Sequence, residues 1–298
     1  MSGPHGDHSP WGSAGQRVAG VIAAAAGTLV LTEVTRRSSV LSGPAWIRPN
    51  HRGESVNLVA GPVVAMLASG MAVPLLPPGR RRPVLLLGLA CGAVGLYDDI
   101  AGAGPELRGD KGFRGHLRAL SSGRVSTGAL KVIGVVGASL AAAGSVSSGP
   151  VDRVIAAGVM AGTANLVNLL DLRPGRAAKA SALGSATLLG GATGGAGAAV
   201  LGTSLGVLPA DLSEKVMLGD AGANALGALL GYRLAAGASP LARTSMLAVL
   251  VALTAASEKI SFTRVIAATP GLRDLDRWGR PTDPRSALDG AGTSLPRP

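Results

Sequence analysis

The chain has 298 residues, a net charge of +11, one cysteine (Cys91) and only seven aromatic side chains. Its 47% hydrophobic content excludes intrinsic disorder, and a single cysteine excludes a disulfide scaffold. Charged residues make up 15%, against about 25% in ordinary soluble domains, and Gly (45 residues) and Ala stand where a soluble core would use Phe, Tyr and Leu.

The charges cluster and leave uncharged runs at 18–32, 55–79, 83–97, 132–151, 154–170, 180–210, 221–232 and 244–257. A bilayer-crossing helix takes about 20 mostly apolar residues. The pattern predicts an all-α, polytopic integral membrane helix bundle of eight to nine transmembrane helices. After a polar tail over 1–16, spans are expected near 17–35, 56–75, 83–97, 128–147 and 153–170. Two short spans within 180–210 flank a tight turn at the glycine-rich run 190–195, and two more fall near 220–237 and 242–258. The membrane domain covers 17–266, and 267–298 reads as a cytoplasmic tail.

Orientation follows from Lys and Arg. Segments 36–55, 98–127, 171–179, 211–219 and 259–298 carry twenty of them, against seven on the other side. The richer side is cytoplasmic by the positive-inside rule, which with nine spans places the N-terminus outside and the C-terminus inside. The triplet Arg80, Arg81, Arg82 runs against that rule. Because the basic residues lie between apolar runs, the net charge points to no nucleic acid. Segment 111–120 has Phe113, Leu117 and Leu120 at helical spacing beside Arg114 and Arg118, the pattern of an interfacial helix.

Few acids exist, and four sit where apolar runs meet the cytoplasmic side: Asp98, Asp99, Asp171 and Asp220. Ionisable groups at membrane depth are costly and mark candidate sites. Asn165, Asn168 and Asp171 are spaced by three and share one side of a helix. Helix packing by the Asn pair is the alternative. Asp220, with Asn224 one turn later, opens a helix and could equally serve as its cap. Carboxylates from three helix ends can converge on Mg²⁺, which takes oxygen ligands together with substrate phosphates. Arg52, Lys111, Arg114, Arg118, Arg173, Arg176 and Lys179 surround them and suit phosphate contacts.

The ordered set Pro49-Asn-His-Arg-Gly53, Gly95-Leu-Tyr-Asp-Asp99, Lys111-Gly-Phe-Arg-Gly115, Asn165-Leu-Val-Asn-Leu-Leu-Asp171 and Met217-Leu-Gly-Asp-Ala-Gly-Ala-Asn-Ala-Leu-Gly227 resembles the polyprenyl-phosphate sugar-1-phosphate transferases, glycosyltransferase family 4. The resemblance covers about residues 45–260. It implies a Mg²⁺-dependent enzyme of the cell membrane that moves a sugar phosphate from a UDP-sugar to polyprenyl (undecaprenyl) phosphate and releases UMP, for cell-envelope polysaccharide synthesis. Carried over by motif, Asp98 and Asp99 are the paired carboxylates at the lipid-phosphate and metal site. Asp171 faces the nucleotide sugar, Asp220 is a metal ligand, and Lys111 meets a phosphate. Asn50, Arg52, Arg114, Asn165, Asn168, Arg173 and Arg176 complete the substrate-binding set. Partners implied are the UDP-sugar, the lipid phosphate and the bilayer, with a homodimer left open.

Two departures from the family pattern stand out. Asp171-Leu-Arg-Pro-Gly-Arg176 replaces a second acid with basic residues, and no histidine falls in the late cytoplasmic loop. Pro174 and Gly175 predict a sharp turn that presents Arg173 and Arg176 to the cavity of Asp171. The second expectation is therefore a catalytically inactive relative that acts as a membrane scaffold in envelope assembly. A transporter is a third, since the broken run 180–210 could be a discontinuous span.

Overall fold

The computed structural model describes residues 12–101 and 127–280. Lys111, Arg114 and the expected interfacial helix at 111–120 lie outside the described residues. The remainder is helical, apart from one short hairpin. In chain order the helices are α1 (Ala14–Arg37), α2 (Ala60–Ala72), α3 (Pro78–Ala101), α4 (Thr127–Ala143), α5 (Pro150–Leu170), α6 (Arg176–Ala186), α7 (Gly194–Leu212), α8 (Gly219–Gly237), α9 (Pro240–Ser257), α10 (Phe262–Ala268) and α11 (Pro270–Arg277). Strands β1 (Ile47–Pro49) and β2 (Ser55–Asn57) pair antiparallel, with Arg48 opposite Val56.

Each expected span coincides with a helix among α1–α9. Five of them, α1, α3, α5, α7 and α9, are long and apolar enough to cross a membrane, and α2 and α4 are shorter apolar helices. The run 180–210 breaks as expected, with a turn at 187–193 between α6 and α7. Two elements differ from expectation. Helix α3 extends beyond 83–97 at both ends, so Asp98 and Asp99 sit inside its last turn. The expected C-terminal tail opens with α11, which is packed onto α6 by a long-range ion pair and by hydrogen bonds from Lys179 to backbone carbonyls.

Packing follows residue size. Helix α8 is the centre: 15 of its 19 residues are buried, most of them Gly, Ala or Leu. It lies against α3, α5 and α2. In α1 the buried residues Gly20, Ala24, Thr28 and Thr32 recur every four positions, which makes one stripe, and that stripe meets α7. A methyl group on Gly202 of α7 would lie 2.3 Å from the Val21 carbonyl oxygen, so only Gly permits this approach. Larger side chains point outward instead: Ile22, Val30, Val34, Val132, Ile133, Val151 and Val249 are all exposed. Small residues inside and branched apolar ones outside is the arrangement of helices that pack closely in lipid.

The bundle has two distinct ends. The hairpin, the last turn of α3, the α5–α6 turn, the α7–α8 loop and α11 meet at one end. The Asn57 N–H donates to the Lys215 carbonyl, and Arg280 Nε donates to Pro174 O at 2.8 Å. These are the segments that hold the excess of basic residues. At the other end, Arg17 donates to the carbonyls of Leu189 and Gly191 (2.7 and 2.8 Å). Arg233 donates to those of Leu188 and Gly190 (2.8 and 2.9 Å). The two guanidiniums satisfy the open carbonyls after the C-terminus of α6, where a helix favours cations. Arg80 bonds the Tyr232 hydroxyl, and Arg81 Nε donates to Leu76 O at 2.9 Å. Local hydrogen bonding therefore accounts for two members of the triplet that defies the charge rule.

Candidate functional site

The first turn of α8 organises the site. Its Gly219, Asp220 and Ala221 N–H groups have no partners within the helix, as at any helix start. The Gly219 N–H bonds to Asp171. The N–H groups of Asp220 and Ala221 donate to the two carboxylate oxygens of Asp99, each at 3.0 Å. Two carboxylates from α3 and the end of α5 thus cap α8 from outside, where the helix dipole favours negative charge. Contact this close requires Gly95, because a methyl group there would lie 2.4 Å from the Asp220 carbonyl oxygen.

Asp220 does not cap its own helix. Its carboxylate faces Lys131 of α4 (Oδ2 to Nζ, 2.5 Å), and Asp98 approaches the same ammonium at 2.8 Å. The three side chains retain 15–24% exposure, so the cluster is open to one side. Arg48 of the hairpin donates to the Asp99 carbonyl at 2.5 Å and ties β1 to the end of α3. All four acids singled out from the sequence therefore gather around one helix start.

Beside them lies a cleft of about 290 Å³, lined by Asn50, His51, Asp171, Arg173, Asp211 and Glu214 among others. Its volume is near the low end of small-molecule sites. Glu214 is the only non-glycine residue with positive φ among the described residues, at 56°. Such backbone is uncommon and clusters at functional sites. Its side chain, 7% exposed, accepts from Arg52 at 2.7 Å and from Asn50 Nδ2. Asn50 Oδ1 in turn accepts the N–H groups of Arg52 and Glu54 (2.8 and 2.9 Å). Asn50 lines the cleft, while Arg52 braces it through Glu214. Burial and the Arg173 guanidinium push the His51 imidazole below its usual pKa, with Glu214 opposing and Arg52 and Arg280 adding to the fall.

The α5–α6 turn separates two residues expected to act together. Gly175 adopts φ +71° and its N–H donates to Asp211 Oδ2 at 3.1 Å, so the chain turns sharply after Asp171. Arg173 lines the cleft with Asp171. Arg176 does not. It is buried in a two-pronged pair with Asp276 of α11 (2.7 and 3.1 Å) and reaches Thr263 Oγ1 at 3.1 Å. The cause is its position as the first residue of α6, where the helix carries the side chain toward the C-terminal segment. Asn165 also points elsewhere, donating to Thr254 of α9 at 3.1 Å, the helix-packing alternative. The Asn168 carbonyl accepts the Asp171 N–H at 3.1 Å.

Four site residues escape the sequence reading. Lys131 carried a signal, as the single charge in an otherwise apolar span. Asp211 and Glu214 had only their position at the end of a long uncharged run. His51 lay inside a quoted motif without being singled out.

Among the described residues no three His, Cys, Asp or Glu side chains form a ready metal cage. Asp98 and Asp220 nevertheless converge on one cation, the Lys131 ammonium. Two carboxylates completed by substrate phosphate oxygens are the usual protein contribution to a Mg²⁺ site, and this donor set fits that use. No family model and no curated protein matches the chain.

Proposed function

We propose that the chain is a membrane-embedded, Mg²⁺-dependent phosphoglycosyl transferase that moves a sugar-1-phosphate from a UDP-sugar to polyprenyl phosphate. The observation that carries this reading is the Asp98–Lys131–Asp220 cluster beside a helix start capped by Asp99 and Asp171, with a cleft of small-molecule size on the Asp171 side. The outward apolar side chains and the five long apolar helices support the bilayer setting. The richer charge at the site end supports a cytoplasmic site.

In this reading a phosphate oxygen of the lipid attacks the β-phosphorus of the UDP-sugar. The bond from that phosphorus to the bridging oxygen breaks, and UMP leaves with the oxygen. Phosphoryl transfer needs positioning and charge neutralisation more than covalent help. Asp98 and Asp220 would hold Mg²⁺ with donor diphosphate oxygens, and the ion would neutralise that diphosphate. Asp98 aligns the attacking phosphate, and Lys131 offsets the charge of both acids. Asp99 and Asp171 fix the start of α8. Asn50, His51 and Arg173 line the donor cleft, and Arg52 holds its wall through Glu214. Lys111 and Arg114 remain proposed phosphate contacts.

UMP release from candidate UDP-sugars with undecaprenyl phosphate and Mg²⁺ in detergent tests the reading. Absence of release with every sugar overturns it. A scaffold without activity is the second reading, favoured by Arg176, which serves a structural pair in place of a substrate contact.

A further inference from the structure

We propose that α11 and Trp278 form a docking surface for the cytoplasmic leaflet of the bilayer. The inference rests on the membrane reading above. Leu272, Leu275 and Trp278 are spaced by three and fall within one arc of roughly 120° on a helix. All three are exposed, at 47%, 41% and 67%, although each is a residue that normally seeks burial. The rest of the segment is not loose. Lys179 of α6 donates to the carbonyls of Leu275, Asp276 and Trp278 (3.0, 3.0 and 2.5 Å). Asp276 takes Arg176 and also Arg280, the latter at 2.6 Å. Five hydrogen bonds from Arg176 and Lys179 therefore pin one side of α11, while Leu272 and Leu275 stay uncovered and the Trp278 ring, 6.0 Å from the Lys179 ammonium, keeps most of its surface exposed.

The place of α11 in the fold names the occupant. It is pinned to the first turn of α6, just past the end of α5, and it follows α9 through the short helix α10. Both α5 and α9 are long and apolar enough to cross a membrane. The row thus sits at the level where these helices leave the hydrocarbon. Val265 of α10 and Ile260 before it are exposed as well, at 44% and 50%. Lys259, Arg264 and Arg277 are exposed beside them, and cations at this level pair with anionic headgroups. A short amphipathic helix with Trp and Leu on one face and Arg around it lies in the interface plane. A bilayer surface meets both features together: an apolar row to bury and basic groups to neutralise.

The test uses the full chain in nanodiscs of mixed phosphatidylcholine and phosphatidylglycerol, with Trp11→Phe and Trp46→Phe so that Trp278 is the only tryptophan. Lipids brominated high in the acyl chain should quench Trp278 strongly, deeply brominated lipids less, and aqueous acrylamide least. Leu272→Ala with Leu275→Ala should weaken the lipid quenching and raise that by acrylamide. A parallel chain carries Val30→Trp on the outward side of α1, with Trp278→Phe added. If that reporter is quenched by lipid and Trp278 only by acrylamide, the docking proposal is overturned and the membrane reading stands. If neither is quenched by lipid, the membrane reading itself fails.

Discussion

Lys131 is the residue on which two acids depend. Its ammonium lies between Asp98 and Asp220, and its removal takes from both acids the cation they share in a mostly buried setting. Lys131→Met should cost about 1–3 kcal/mol of stability, less than for a fully buried pair because all three groups keep some exposure. Turnover should fall on the order of a hundredfold, the scale of one lost charge-stabilising group. Asp98→Asn in the same chain should recover part of the stability and none of the activity. Thermal unfolding in detergent and UMP release separate the two effects; a stable, active Lys131→Met enzyme would remove the residue from the site.

At the same scale, His51 and Arg173 share the cleft wall. The folded site lowers the His51 pKa, so well above the ordinary His value of about 6.5 the ring is neutral folded or unfolded and adds no pH dependence. Below the ordinary His pKa of about 6.5 the unfolded chain takes up a proton that the folded cleft resists, and stability falls as pH drops. Arg173→Ala removes the largest of the three cationic causes and should reduce that slope, while His51→Gln should abolish this residue's share. Arg173→Ala should also raise the donor KM roughly tenfold, about 1.4 kcal/mol. Arg176→Ala should act on stability instead. Unfolding from pH 5 to 8, with donor KM for each variant, decides this; equal KM effects from the two arginines would contradict their separation by the α5–α6 turn.

Among the elements, α11 shows where local pattern stops being informative. Residues 271–298 are rich in Pro, Gly and charge and read as a tail. What holds α11 is remote: Arg176 and Lys179 lie about a hundred positions earlier, beyond any periodicity. The apolar spans were legible because their helices bury or expose side chains by type alone. The acids were legible because charge is rare in this chain. Lys131, Asp211 and Glu214 were not, since their meaning comes from which helix ends adjoin. The same logic misassigned Arg176, whose charge was visible while its partner was not. Asp276 tests the element. Burial raises its pKa, but Arg176 and Arg280 outweigh this and hold it below the usual carboxylate value. The latch therefore stabilises α11 above the ordinary carboxylate range and is lost as pH falls through the lowered pKa. Asp276→Asn at neutral pH should free α11. Faster amide exchange over 270–278, with the rest of the bundle unchanged, is the expected result, and unchanged exchange would show that the carbonyl contacts of Lys179 suffice.

At the scale of the whole molecule, the two ends of the bundle carry different chemistry. One gathers the hairpin, the four acids, the cleft and the α11 latch. The other holds the arginines that cap the end of α6, together with the Arg243–Asp152 pair. Arg17, Arg80 and Arg233 lie at that second end, yet hydrogen bonds to backbone carbonyls and to Tyr232 occupy them. The basic residues at the site end include exposed groups such as Lys259, Arg264 and Arg277, which remain available to anionic headgroups. Orientation by charge acts through Lys and Arg in short connections near helix ends, so the site end should face the cytoplasm despite the arginines opposite. In a Cys91→Ala background, Val151→Cys at the start of α5 should react with an impermeant maleimide in intact cells. Glu54→Cys in the hairpin should react only after the inner face is opened. Both positions are exposed in the fold, so accessibility within the protein does not limit labelling. Labelling of Glu54→Cys in intact cells would invert the topology. It would also place the cleft on the side where nucleotide sugars are not made, and the transferase reading would fall with it.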